Sequence, residues 1–167
     1  MYSEGDSIMV RKISLILLFI IISVFVVACK RETTILAYPE KIIIYRNGTK
    51  QVLNQSNPSF NNIIMLTNKR FNNIYTETID VDDKCIQNAK DDGIDIEFIY
   101  AQEQEFNVVA EGVKQFKYTR LFFPLSVKND KKKDQYLMYY GNGKKYLNNP
   151  IVNLSPSEDL IKIIDKL

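Results

Sequence analysis

Apolar and polar residues alternate along two stretches of the chain. From Ile94 to Tyr100 the apolar residues alternate with Asp95 and Glu97, as in a strand with one buried face and one solvent face. A second alternating stretch runs from Tyr118 to Val127 and contains Pro124. Because proline cannot donate a ladder hydrogen bond, this strand must lie at a sheet edge or contain a bulge. We expect two strands, with Asp95 and Glu97 facing solvent.

Further strands are indicated by turn residues. Lys41 to Arg46 is a β-rich run, and Asn47-Gly48 after it is the preferred pair for a type I′ turn. Thr49 to Leu53 is then the returning strand of a hairpin. Later, Gln135 to Tyr140 is predicted to pair back on the sheet after a polar loop.

Three helices are predicted between and after these strands. The first follows Pro58, with Ser56 or Asn57 as its cap and an apolar stripe at helical spacing, formed by Phe60, Ile63, Ile64, Phe71 and Ile74. A short helix follows Asp82 and Asp83 and ends near Gly93. Ser155 to Glu158 matches a capping box before a last helix. The pattern predicts an α+β fold, mainly an antiparallel sheet with helices packed on one face.

Composition narrows the possible chemistry. The chain has 167 residues, 22 Lys+Arg, 20 Asp+Glu, two cysteines and no histidine. The near-balanced charge argues against a nucleic-acid partner. The absence of histidine excludes Ser-His-Asp and Cys-His catalysis and any metal site that needs imidazole. We expect no cofactor.

The amino-terminal segment has the organisation of a secretory signal. Arg11-Lys12 precedes the apolar run Ile13–Ala28, in which only Ser14 and Ser23 are polar. As a helix this run spans roughly 24 Å, short of the roughly 30 Å hydrocarbon core. Glu4 and Asp6 dilute the basic region before it, which favours Met9 over Met1 as the first translated residue.

The end of that run resembles the lipobox of bacterial lipoproteins. Val26-Val27-Ala28-Cys29 matches it except at Val27, where a small residue is more usual. The resemblance implies cleavage between Ala28 and Cys29, attachment of diacylglycerol to Cys29, and a place on the extracytoplasmic face of the membrane. The whole chain resembles the small cell-surface lipoproteins of Gram-positive bacteria. Because the resemblance is carried by the lipobox segment, it implies anchoring rather than an activity.

The predicted domain organisation follows from this segment. Residues 1–28 are the signal peptide, residues 29–34 the lipid-anchored tether, and residues 35–167 a single globular domain. The five flexible residues of this tether, Lys30 to Thr34, reach on the order of 12 Å, so the domain is expected to work close to the membrane.

Cys85 is the other thiol of the chain. With Cys29 acylated, as the lipobox implies, Cys85 has no partner cysteine, and the chain has no histidine, so neither an intrachain disulfide nor a thiol-protease dyad is available. We expect a buried helix residue that behaves as a small apolar side chain; the alternative is pairing between two molecules.

The densest charged feature is acidic and extends from Asp80 to Glu97. Oxygen ligands suffice for calcium, with Asp80, Asp82 and Asp83 as weak candidates. An EF-hand alignment fails, because Cys85 stands where the sharp turn needs glycine. The simpler interpretation is a helix cap followed by outward strand positions.

Lysines and tyrosines are the remaining candidates for binding. Lys131–Lys133 and Lys144-Lys145 are solvated loops that could contact anionic lipid or wall polymer. A face of exposed tyrosines would form a binding platform, and the chain offers Tyr136, Tyr139, Tyr140 and Tyr146. Alternation places Tyr136 and Tyr140 with Met138 on one face, and Tyr139 with Leu137 on the other.

These observations predict a non-catalytic binding or accessory module at the cell envelope, whose partner is an envelope protein or wall polymer. The alternative is a carboxylate-dependent hydrolase or calcium-binding protein that uses the acidic residues from Asp80 to Glu97.

Overall fold

A six-stranded antiparallel sheet forms the centre of the computed structural model, which describes residues 36–71, 76–77, 83–110, 112–126, 136–147 and 150–167. These residues belong to one compact unit, Thr34–Leu167. The sheet strands are β1 Lys41–Arg46, β2 Thr49–Asn54, β4 Ile94–Ala110, β5 Gly112–Ser126, β6 Tyr139–Asn142 and β7 Lys145–Tyr146. They lie in the order β2-β1-β4-β5-β6-β7.

A second, two-stranded sheet and three helices complete the described fold. Strands β3 Thr76–Glu77 and β8 Ile151–Val152 pair antiparallel. The helices are α1 Phe60–Lys69, α2 Asp83–Asp92 and α3 Glu158–Ile164. The predicted α+β class with a mainly antiparallel sheet is confirmed. No helix in the described ranges has the length and apolar character needed to cross a membrane.

The first hairpin forms as its turn residues predict. Asn47 and Gly48 have φ of 48° and 79°, the positive values that a type I′ turn requires at both central positions. Strand β1 pairs with β2 on one side and with β4 on the other. The hairpin therefore adds two strands to one side of the long β4–β5 pair.

Strands β4 and β5 are longer than the alternation predicted, and both are irregular. Leu125 is bulged out beside Pro124, because Ile94 pairs with Ser126 while Asp95 pairs with Pro124. A second irregularity follows Ile99. Strand β5 lies inside the sheet, so the bulge accommodates its proline.

The helix starts differ in detail from the sequence prediction. Helix α1 begins after Ser59 rather than Ser56 or Asn57, although Asn57 Oδ1 accepts the Ser59 amide at 2.9 Å. Helix α3 begins after Ser157, so the box predicted from Ser155 does not cap it. The Ser157 hydroxyl donates to the Leu125 carbonyl at 2.8 Å instead.

The buried side chains form two clusters on opposite faces of the sheet. Helices α1 and α3 contribute Phe60, Ile63, Leu160 and Ile164 to the larger cluster, together with Ile96 and Phe98 of β4. The smaller cluster contains Ile86, Ala89, Phe122, Leu137, Tyr139 and Tyr146, with Tyr45 against it. Helix α2 thus packs on the smaller cluster, so the helices lie on both faces of the sheet rather than on the one face predicted. Both faces therefore bury side chains.

Candidate functional site

The carboxylate of Glu97 lies buried on the face of the sheet that carries the smaller cluster, with 0% of the side chain exposed. The Tyr45 hydroxyl donates to Glu97 Oε2 at 2.6 Å. The Tyr146 hydroxyl and an Arg120 Nη both donate to Glu97 Oε1. Lys90 Nζ lies 3.5 Å from Glu97 Oε2. One carboxylate therefore has four donors, as a buried charge requires.

Strand register brings these groups together. Glu97 is opposite Ile43 on β1 and Phe122 on β5. Tyr45 and Arg120 are each two residues from those partners, which places them on the same face of the sheet as Glu97. Helix α2 supplies Lys90 from above this face.

Gly141 lets the last donor approach. It pairs with Arg120 on β5 and with Tyr146 on β7. A Cβ at Gly141 would lie 2.1 Å from the Lys145 carbonyl oxygen and 2.7 Å from the Tyr146 Cα. Only glycine permits this spacing, and the position of the Tyr146 hydroxyl depends on it.

Aromatic rings surround the two cations. Lys90 Nζ lies 4.6 Å from the ring centroid of Tyr45, 5.1 Å from that of Phe122 and 5.7 Å from that of Tyr146. The Arg120 guanidinium lies 4.8 Å from the Tyr146 ring. Ring faces stabilise cations that have lost part of their water. We call Tyr45, Lys90, Glu97, Arg120 and Tyr146 the Glu97 network.

The network keeps Glu97 ionised. Burial alone would raise the pKa of Glu97, but hydrogen bonds from Tyr146 and Tyr45 and the charges of Lys90 and Arg120 hold it below its ordinary value. Burial lowers the pKa of Lys90, although the charge of Glu97 opposes this shift. The geometry is that of a charge-stabilising network.

Asp95 is buried two residues away without comparable support. Its side chain is 0% exposed, and neither carboxyl oxygen has a hydrogen-bond partner of ordinary geometry among the described residues. Burial raises the pKa of Asp95 to about 8, against the opposing effects of the Lys90 charge and the Leu125 backbone. At neutral pH this carboxyl group is mostly protonated.

Next to the network the same face of the sheet has a cleft of about 450 Å³. Its described lining includes four cationic residues and no carboxylate, and the cations are Lys41, Lys50, Arg120 and Lys144. Arg120 belongs to both sites: one Nη pairs with Glu97, and the other donates to the Gly143 carbonyl at 3.0 Å. The Gly143 amide donates to the Thr119 hydroxyl at 3.0 Å, which fastens the β6–β7 turn to the cleft wall.

The candidate tyrosines do not form an exposed platform. Tyr139, Tyr140 and Tyr146 are 3%, 5% and 9% exposed, and Tyr136 is half-buried in the short turn before Met138. Tyr140 lies in the cluster of Met138, and Tyr139 lies with Leu137, as alternation predicts. A platform would need these rings exposed, and both faces of the sheet are covered here. Tyr146 acts through its hydroxyl, as a donor to Glu97.

The acidic residues do not converge on one site. Asp80 and Asp82 lie outside the described residues, and of Asp83 only its place at the start of α2 is described. Asp91 and Asp92 are exposed at the end of α2, whereas Asp95 and Glu97 are buried. The prediction that Asp95 and Glu97 face solvent is wrong, because α2 covers the second face. Within the described ranges, no three acidic or cysteine side chains are grouped to hold a metal ion.

Other candidates divide in the same way. Cys85 is exposed on α2 rather than buried, because the helix turns Ile86 and Ala89 toward the sheet instead. Lys144 and Lys145 are exposed at the β6–β7 turn. Lys131–Lys133, Ala28 and Cys29 lie outside the described residues.

The Glu97 network could not be predicted from alternation, because a strand face exposed to water and a polar face covered by a helix have the same sequence pattern. One signal was present. Four members of the network lie in or beside strand-forming runs, and a predicted strand pairing would have aligned them: Tyr45, Glu97, Arg120 and Tyr146. The sequence pattern did not indicate that α2 packs on this face of the sheet and places Lys90 beside Glu97.

Comparisons with known proteins gave no match: no protein-family model, no curated protein and no solved structure shows significant similarity to this chain.

Replacing Glu97 by glutamine is expected to lower the free energy of unfolding by about 3–5 kcal/mol, because it leaves Lys90 and Arg120 buried without their counter-ion. Urea unfolding followed by circular dichroism measures the change. Glu105→Gln on the same strand is the control, because Glu105 forms an exposed ion pair with Lys117 that is worth about 0–1 kcal/mol. Equal losses in the two variants would contradict the central place of Glu97.

Replacing Asp95 by asparagine is expected to change how stability depends on pH. Because the pKa of Asp95 is about 8 in the folded chain against an ordinary value of 3.8, the folded state binds the proton more tightly. The stabilisation is complete below about pH 4 and is lost as the pH rises through about 8.

Asp95→Asn should therefore be more stable than the wild type at pH 9, by on the order of several kcal/mol, with a difference that shrinks toward pH 5. Thermal unfolding across this range gives the measurement, and Asp92→Asn, at an exposed position, is the control. Parallel pH curves for wild type and Asp95→Asn would show that Asp95 is ionised in the folded chain.

Proposed function

We propose that this chain is a lipid-anchored protein of the cell envelope, attached to the extracytoplasmic face of the membrane by a diacylglyceryl group on Cys29. There it acts as a non-catalytic binding or accessory module. The observation that carries the proposal is the segment from Arg11 to Cys29, in which a basic pair, an apolar run and a cysteine follow at lipobox spacing.

The proposed anchor at Cys29 and the start of the described fold at Leu36 are separated by only a few residues. Two acyl chains give stable attachment to a bilayer, whereas a single chain gives marginal binding. The described fold begins at Leu36, which is buried at 1% exposure and whose amide donates to Asn68 Oδ1 at 2.9 Å. The predicted flexible tether, residues 30–34, would reach on the order of 12 Å, so any ligand would be met close to the membrane.

A non-catalytic role is supported by the placement of the carboxylates. Among the described residues, the two acidic side chains with a perturbed pKa are Asp95 and Glu97, and neither has exposed surface. General acid–base work requires a carboxyl group within hydrogen-bond reach of a substrate. The cleft beside them offers cations instead, and cations suit binding of an anion.

The alternative, a carboxylate-dependent hydrolase or calcium-binding protein, has less support. Its acidic residues between Asp83 and Glu97 are divided between the exposed end of α2 and the buried face of β4. Calcium needs six to eight oxygen ligands around one point. The described residues do not bring such a set together.

Replacing Cys29 by serine tests the anchor. In bacteria fed an alkyne fatty acid, the wild-type chain should incorporate the label and sediment with membranes. Cys29→Ser should lose the label and either leave the membrane fraction or accumulate as the longer precursor. Fluorescence of the labelled band and immunoblots of the fractions provide the measurement.

Cys85→Ser is the matched control, because Cys85 is the chain's other cysteine and is exposed on α2. It should keep both the label and the membrane fractionation. Unchanged labelling of Cys29→Ser, or loss of label in Cys85→Ser alone, would overturn the proposed lipidation.

A further inference from the structure

The cleft beside the Glu97 network has the charge of an anion site. Lys41, Lys50 and Lys144 form no ion pair with any described residue, and the cleft's described lining contains no carboxylate. Its volume of about 450 Å³ is within the range of about 300–1,000 Å³ typical of ligand pockets. Like charges gathered in a concavity raise the local concentration of counter-charged ligand.

The cations are spread too widely for one small anion. Lys41 and Arg120 lie in one cross-strand row with β4 between them, so their Cα atoms are roughly 10 Å apart at ordinary strand spacing. Lys50 is opposite Tyr45, four residues along β1 from Lys41, which adds roughly 13 Å along the strands. The arrangement fits two or more separated anionic groups.

The floor between the cations is apolar. Ile43, Val52 and Ile99 line the cleft, and Val52 is 54% exposed on the edge strand β2. An apolar floor inside a ring of cations suits a chain whose charges alternate with less polar units. A flat bilayer surface presents many charges but does not enter a cleft.

Arg120 is the fixed point of the site. Glu97 and the Gly143 carbonyl each accept a hydrogen bond from its guanidinium, and its side chain is 16% exposed. A guanidinium already oriented loses little freedom on binding and presents a directed donor to phosphate oxygens. The three lysines supply adjustable point charges around it.

We propose that this cleft binds a segment of a phosphate-bearing polyanion, with phosphates on Lys41, Lys50, Arg120 and Lys144 and the body of the repeating unit on the apolar floor. The proposal rests on the proposed function as a binding module and names its ligand class. It does not depend on Cys29, so loss of acylation and loss of ligand binding are separate results.

The test uses the full chain in non-ionic detergent and a fluorescent oligomer of poly(glycerol phosphate), with binding measured by anisotropy at several salt concentrations. The cleft variant is Lys50→Glu with Lys144→Glu. The control variant is Lys145→Glu with Lys166→Glu, which makes the same change in net charge at exposed positions outside the cleft lining. Circular dichroism confirms that both variants are folded.

The wild type should bind the oligomer, with affinity that falls as salt rises. The cleft variant should bind at least about thirtyfold more weakly, and the control variant should stay within about threefold of the wild type, as expected for rim charges. Inorganic phosphate should compete only weakly, because it occupies one of several subsites.

Several results would overturn the proposal. They are no binding by the wild type, equal losses in the two double variants, full competition by inorganic phosphate, or equal binding of polyglutamate. Binding to phosphatidylglycerol vesicles but not to the oligomer, with the same dependence on the cleft lysines, would assign the cleft to the membrane surface instead.

Discussion

Burial of one carboxylate, that of Glu97, constrains the arrangement of the whole second face of the sheet. An ionised group without solvent must receive hydrogen bonds and opposite charge, or it becomes neutral. Here the donors come from β1, β5, β7 and α2. Elements far apart in sequence are therefore tied to one point, and the register of β1 and β5 against β4 must place their polar residues on the Glu97 side. A slip of one residue would replace Tyr45 or Arg120 on this face by a neighbour whose side chain belongs on the other face of the sheet.

Comparison with Asp95, which has no such network, shows how the network affects the pKa of Glu97. Both acidic residues are fully buried on the same strand and the same face, yet the pKa of Glu97 is lowered and that of Asp95 is raised to about 8. Burial disfavours the ionised form of both carboxyl groups. Their pKa values differ because Glu97 accepts hydrogen bonds from several donors, whereas Asp95 does not. With Asp95 mostly protonated at neutral pH, Glu97 faces two cations, and the network retains one excess positive charge next to an already cationic cleft.

Local sequence signals predicted local structure well in this chain. The Asn47-Gly48 turn and the opposite faces of Tyr139 and Tyr140 are present as expected. Of the two arrangements that Pro124 allowed, an edge strand or a bulge, the structure has the bulge. Each depends on backbone chemistry within a few residues. Placement of the side chains against another layer was not predictable in this way. The sequence places Asp95 and Glu97 in water and Cys85 in the core, and both predictions are wrong for the same reason. Alternation does not indicate whether the second face of the sheet is covered. Helix α2 covers it, with Ile86 and Ala89 directed toward the sheet.

The contacts of Arg120 link the buried network to the anion binding that we propose for the cleft. A lone arginine at a cleft wall adopts many rotamers, and ordering it on binding costs affinity. In this chain Glu97, the Tyr146 ring and the Gly143 carbonyl fix the guanidinium before any ligand arrives. Gly141 permits the close approach of β7 that places Tyr146 there. The buried network thus also orients a donor at the cleft wall. The cleft lysines, which form no ion pair with a described residue, need to adapt only to the spacing of the ligand's charges. Rigid recognition at one point and adjustable charge elsewhere is the combination that favours a repeating anionic chain over a single compact anion.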